Sequence, residues 1–158
     1  AWVSGGIVHY YFDTKVDLIR AAFEENAARS LERRAAIFAD EDADVRSTLH
    51  ALVDTYLPAD DTTTESWRVW IEWWAAALRD DELAEVHNRA YEDWAARVQS
   101  VFGRVDGIDA DTARSHATVL VALLDGLTIQ ALMGSPTMTV DHMRATCRRT
   151  VDLLLAVD

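Results

Sequence analysis

Aromatic and acidic side chains gather where they could hold a small cation. Trp67, Trp70 and Trp74 stand at i, i+3 and i+7, the spacing of one helix face, with Trp73 beside them. The next segment adds Tyr91 and Trp94. A flat or quaternary cation over such rings gains about 0.5–2 kcal/mol per contact from the ring quadrupole. Glu72 and Asp125 are the candidate anions, and His87 and His116 the candidate hydrogen-bond donors. The same residues also suit a packed core. Trp67, Trp70, Trp73, Trp74, Tyr91 and Trp94 fit either reading, and a lone helical histidine is more often structural. Asp125-Gly126 interrupts an apolar run. An unpaired carboxylate there would cost several kcal/mol, so Asp125 bonds a neighbouring Trp or Tyr, accepts a ligand cation or sits in a dimer seam. Gly126 would permit close helix approach.

No catalytic constellation competes with binding. The sequence has no histidine pair at metal-ligand spacing, no phosphate-cradling glycine loop and no nucleophile motif, so no enzyme activity, cofactor or metal is expected. A single cysteine, Cys147, lies on an apolar stripe and reads as an inert core thiol; it fits a reducing compartment, with cytoplasm the default. Arg29, Arg33 and Arg34, interleaved with glutamates, read as a solvated helix face.

A second candidate surface opens the chain. Residues 3–18 read VSGGIVHYYFDTKVDL. Ser4 can cap a short helix whose first turn carries Gly5 and Gly6, followed by Ile7 and the polar aromatics His9, Tyr10 and Tyr11. Small residues let a backbone approach a partner closely, as in the first turn of a helix entering a major groove. A packed aromatic corner is the other reading. Lys15 is the only lysine in the chain.

The elements that must position these groups are helices throughout. The stripe Val16, Ile19, Phe23, Ala27, Leu31 and Phe38 marks a long helix over 14–38, roughly 37 Å at about 1.5 Å per residue, opened by a capping box at Thr14 and Asp17. Further helices are expected over 44–57, from a capping box at Thr62 and Glu65 to about 78, from Asp80 or Asp81 to 102 with Gly103 at the C′ position, over 109–133, and over 139–156. The fold class is all-α. The segment 117–133 is interrupted by polar residues and short for a membrane span, so no membrane partner is expected. Its apolar character nearly all round suits packing against its own domain on one side and a second copy on the other. With the last helix it would form a four-helix bundle across a two-fold axis, a homodimer.

Net charge is -12 over 158 residues, a poor match to nucleic acid if spread evenly. It is not spread evenly. Residues 1–39 hold five bases and five acids, so the whole deficit lies beyond them.

The opening motif resembles the recognition helix of the TetR family of transcriptional regulators, through Val3, Ser4, Gly6, Val8, His9, Tyr11, Phe12, Lys15 and Leu18. VHYYF is most similar to the BetI-like subgroup, and the resemblance continues through Trp70-Ile71-Glu72-Trp73-Trp74 and Leu124-Asp125-Gly126-Leu127. It implies a TetR-like helical bundle. Residues 1–38 would be the end of a helix-turn-helix domain plus its connecting helix, and 39–158 the ligand-binding and dimerisation domain. Gly5, Gly6, Ile7, His9 and Tyr10 would face the groove, with Ser4, Tyr11 and Lys15 on phosphates. The ligand would be a small cationic or aromatic effector in the middle of the helical domain, and ligand binding would swing the long helix to change the spacing of two recognition helices on operator DNA. The family places two further helices before this motif, so these residues alone are expected to bind operator DNA weakly or not at all. A regulator-like dimer that senses ligand without DNA is the alternative.

Overall fold

The computed structural model describes residues 14–40 and 42–156, apart from the side chain of Lys15. Ser4, Gly5, Gly6, Ile7, His9, Tyr10 and Tyr11 therefore lie outside the described residues, and Lys15 enters only as the first backbone position of a helix. The described residues form six α-helices and no strand: α1 (Lys15–Ala39), α2 (Val45–Tyr56), α3 (Asp61–Ala77), α4 (Asp81–Phe102), α5 (Ala110–Leu132) and α6 (Val140–Leu154).

Short polar side chains set the helix starts. Thr14 and Asp17 form the expected capping box on α1, the Asp17 N–H donating to Thr14 Oγ1 at 3.1 Å. Asp44, Asp80, Asp109 and Thr139 cap α2, α4, α5 and α6, each side chain accepting the N–H three residues on. Two expectations change. The start of α3 is Asp60, not Thr62: Asp60 takes the extended cap conformation after Pro58 and accepts the Thr63 N–H at 2.7 Å. Aspartate is the better cap, and it captures the helix two residues early. Gly103 ends α4 with φ −66, an ordinary right-handed geometry. The left-handed glycines are instead Gly107, φ 89, in the connection from α4 to α5, and Gly134, φ 79, just past α5.

Two apolar clusters divide the body. The larger joins α2, α5, α6 and the end of α4 around Leu49, Val53, Phe102, Leu120, Met143 and Val151. Cys147 lies in it, and burial pushes its thiol up to about 11, which keeps it protonated. The smaller cluster, Phe23, Trp73 and Leu83, locks α1 onto α3 and α4. Phe23 stacks on Trp73 with ring centroids 3.9 Å apart and meets the edge of Trp70 at 4.8 Å. Asn26 Nδ2 donates to the Ser66 carbonyl at 3.0 Å, and Arg20 pairs with Glu82 at 2.7 Å.

By length and composition α5 could cross a membrane, but in this fold it packs Ala117, Leu120, Val121, Leu124 and Thr128 inward. The opposite face, with Val119, is open. Within one chain α5 is thus buried along one face.

Truncating Phe23 removes both ring contacts from the joint between α1 and α3. Phe23→Ala should destabilise the chain by about 3–5 kcal/mol in urea unfolding, whereas a loss under ~1 kcal/mol would contradict the stacked placement.

Candidate functional site

A cavity of about 160 Å³ lies where α1, α3 and α4 converge on the end of α2. Its aromatic wall comes from Tyr56 on α2, Trp67, Trp70 and Trp74 on α3, and Tyr91 and Trp94 on α4. The polar wall comes mainly from α1, through Ser30, Arg33 and Arg34, with Ser66 opposite and Asp93 and Arg97 exposed on α4. A dry cavity of ~150 Å³ is known to hold a benzene-sized molecule. The division expected at residue 38 therefore runs through the wall, since α1 supplies part of it.

The rings are fixed by their neighbours. Trp67 donates its indole N–H to the Tyr56 carbonyl at 2.7 Å and meets the Tyr56 ring edge-on at 5.0 Å. Tyr56 stacks on Trp94 at 5.6 Å, and Trp74 packs tilted against Trp70 at 6.3 Å.

Arg34 overturns its reading as a solvated residue. Its guanidinium carbon lies 5.0 Å from the ring centroids of both Tyr56 and Trp94, and the residue is only 8% exposed. It donates to the Ser30 carbonyl at 3.0 Å and the Thr55 carbonyl at 3.5 Å. Burial lowers its pKa to about 10, so it stays charged at neutral pH. Arg29 does sit on an exposed face, paired with Glu25 at 2.7 Å. The missed signal is periodicity: the inward stripe runs through Phe23, Ala27, Ser30 and Arg34, while Leu31 is largely exposed.

Asp125 is buried behind the aromatic wall. Tyr56 Oη donates to its Oδ1 at 2.9 Å, and Tyr91 Oη donates to Oδ2. The first of the three partners expected for it, a neighbouring tyrosine, is the one within the chain. Burial raises the Asp125 carboxyl to about 6, against the opposing effect of the Tyr56 bond. Burial, reinforced by Asp125, pushes the Tyr56 phenol well above its ordinary range, so it remains a donor.

Of the candidate ligand residues, the fold brings Trp67, Trp70, Trp74, Tyr91 and Trp94 together around the cavity, with Asp125 one bond behind. Trp73 turns away into the Phe23 cluster, and Glu72, one residue along the helix, points to solvent. His87 packs on the outer side of Tyr91 at 5.1 Å, its pKa lowered by burial. His116 sits against Phe102 at 5.4 Å, away from the cavity. Among the described residues no three His, Cys, Asp or Glu side chains gather as metal ligands would.

Residues 45–156 match the model of the BetI-type transcriptional repressor C-terminal family. The chain belongs to that family. It is 31% identical over 166 residues to the HTH-type transcriptional regulator BetI of Paraburkholderia xenovorans, spanning 99% of this chain and 79% of that one. The corresponding regulator of Stenotrophomonas maltophilia is 28% identical over 155 residues, with 98% and 78% covered. A transcriptional regulator from Saccharomonospora viridis, solved in complex with choline, superposes with a TM-score of 0.84 at 30% identity over 95% of this chain and 79% of that one. A Rhodococcus regulator at 20% identity and TM-score 0.85, covering 97% and 79%, shares the fold. This BetI-type chain is a ligand-responsive transcriptional repressor, and its relatives are regulators rather than enzymes.

The raised Asp125 carboxyl gives the BetI-type fold a pH dependence of definite sign. Below the ordinary carboxylate range Asp125 is neutral in both folded and unfolded chains. Between there and about 6 the fold retains a proton that the unfolded chain releases. The stability from this group is complete at low pH and lost as pH climbs through about 6, on the order of 2–3 kcal/mol. The capping carboxylates of Asp44, Asp60 and Asp109 are lowered by their hydrogen bonds and slope the other way, but equally in a variant. The stability of wild type relative to Asp125→Asn should therefore fall between about pH 4 and pH 7 in denaturant titrations, and parallel curves would contradict the assignment.

Proposed function

We propose that the cavity among α1, α3 and α4 is the effector site of this repressor, and that occupancy is transmitted through α1. The observation that carries this reading is shared construction: α1 supplies Ser30, Arg33 and Arg34 to a wall completed by α2, α3 and α4. The same helix begins directly after the segment that resembles a recognition helix. An effector that fits one position of α1 better than another shifts the population between them. As a lever of roughly 37 Å, α1 sets the spacing of two recognition helices, which must match grooves about 34 Å apart. The effector is a small organic molecule of about choline size, its body lying on Trp67 and Trp74. The choline held by the Saccharomonospora viridis regulator supports that scale.

The dimer forms through α5 and α6. Ser115, Val119, Ala122, Gly126 and Ile129 on α5 and its C-cap Met133 recur at four and three, and all but Ile129 are exposed. Val119 is 45% exposed, and Leu153 on α6 is 66% exposed. A Cβ built on Gly126 would meet nothing within 4 Å in the chain, so this glycine leaves room for a second copy. Residues 1–38 then act as the end of the helix-turn-helix domain and its connector, and 39–158 as the sensor and dimer body. Operator DNA is the partner of the opening segment, and the cytoplasm is the compartment.

Tryptophan fluorescence titrated with choline and single-ring aromatic compounds should give a saturable change in wild type. Trp94→Ala should abolish it while helical circular dichroism persists. No response across the panel would leave the aromatic cluster as core and overturn the cavity assignment. Sedimentation at micromolar concentration should give a dimer for wild type and a monomer for Val119→Glu; a wild-type monomer would remove the α5–α6 interface.

A further inference from the structure

The charge on the cavity wall has the wrong sign for a simple cation. Arg33, Arg34 and Arg97 line it against one carboxylate, Asp93, which is exposed. None of the three arginines is paired with a carboxylate among the described residues. Arg33 donates to the Ser30 and Ser66 hydroxyls, at 2.9 and 3.4 Å, and contributes to lowering the Asp60 carboxyl without bonding it. The other anions raised by the sequence are committed or distant: Asp125 accepts two tyrosine hydroxyls behind the wall, and Glu72 faces solvent.

Among the described residues, four buried donors on this wall have no acceptor: Arg33 Nε, Arg34 Nε, Trp74 Nε1 and Trp94 Nε1. Buried polar groups are nearly always partnered, and a group left over on a cavity wall marks what the occupant must supply. The occupant must supply acceptors. The faces of Tyr56 and Trp94 that could cradle a cation already hold the Arg34 guanidinium. A second cation would lose those two faces and meet two positive charges. A carboxylate would meet the open Nε–H edge of Arg34, whose Nη1 and Nη2 already donate to the Ser30 and Thr55 carbonyls, and the open Nε–H of Arg33 beside it.

We propose that the effector of this chain carries a carboxylate, bound by Arg34 with Arg33 beside it, and a flat body that lies on Trp67 and Trp74. This rests on the cavity being the effector site. It separates this chain from a sensor of bare quaternary ammonium, since the aromatic box is filled by the protein's own cation.

Calorimetric titration with benzoate, benzamide, benzylamine and choline holds size nearly constant while changing charge. Benzoate should bind about tenfold tighter than benzamide, with benzylamine and choline weaker still. Arg34→Met should erase the benzoate advantage, bringing benzoate and benzamide within about twofold of each other whatever the variant does to both, and Arg34→Lys, which keeps the charge, should retain part of it. Choline or benzylamine binding more tightly than benzoate, with loss in Trp94→Ala, would overturn the carboxylate inference and leave the effector site standing. An unchanged benzoate advantage in a folded Arg34→Met would do the same. Binding of none of the four would overturn the site itself.

Discussion

A guanidinium buried without a carboxylate is the constraint around which the middle of this molecule is arranged. Arg34 keeps its charge at neutral pH although burial disfavours it. An uncompensated buried charge is tolerated only where other groups replace its hydration. Here the replacements are the carbonyls of Ser30 and Thr55 and the faces of Tyr56 and Trp94. They come from α1, α2 and α4, so these helices must converge to satisfy one side chain. The cavity is the space that convergence leaves beside α3.

The aromatic wall in turn depends on Asp125. One carboxylate on α5 receives hydroxyls from Tyr56 and Tyr91, and so fixes rings on two different helices. It does this from the buried face of α5, while Val119 and Gly126 stand on the open face. The helix proposed to meet a second copy is therefore hydrogen-bonded to the cavity wall. α1 has separate anchorage through the Phe23–Trp73 stack and the Asn26–Ser66 bond. That joint lets α1 serve as one stiff element between the cavity and the segment before residue 14.

The helices were legible in the sequence because their signals are local. Period and capping residues placed all six, with errors of a residue or two where aspartate and threonine competed for one cap, as at Asp60 and Thr62. The tryptophan spacing pointed to one region, and five of the candidate aromatic residues, Trp67, Trp70, Trp74, Tyr91 and Trp94, meet around one cavity. Trp73 and Glu72 separated from them because positions one apart on a helix face different ways, and adjacency in sequence is not adjacency on a face. Arg34 was misread for a complementary reason. Composition marks an arginine among glutamates as solvated, whereas its burial depends on Tyr56 and Trp94, which arrive from other helices. Asp125 was recognisable as needing a partner, but only the packed structure brings the two tyrosines to it.

Amide hydrogen exchange on Arg34→Met tests most directly whether the clasp on Arg34 joins α1 to the body. Local opening reports on each element separately. Loss of the guanidinium should speed exchange along α1 and at the end of α2, while the amides of α5 and α6 keep wild-type protection. Unchanged exchange in α1, or an equal loss of protection across all six helices, would contradict the view that this one buried cation holds the connecting helix to the cavity.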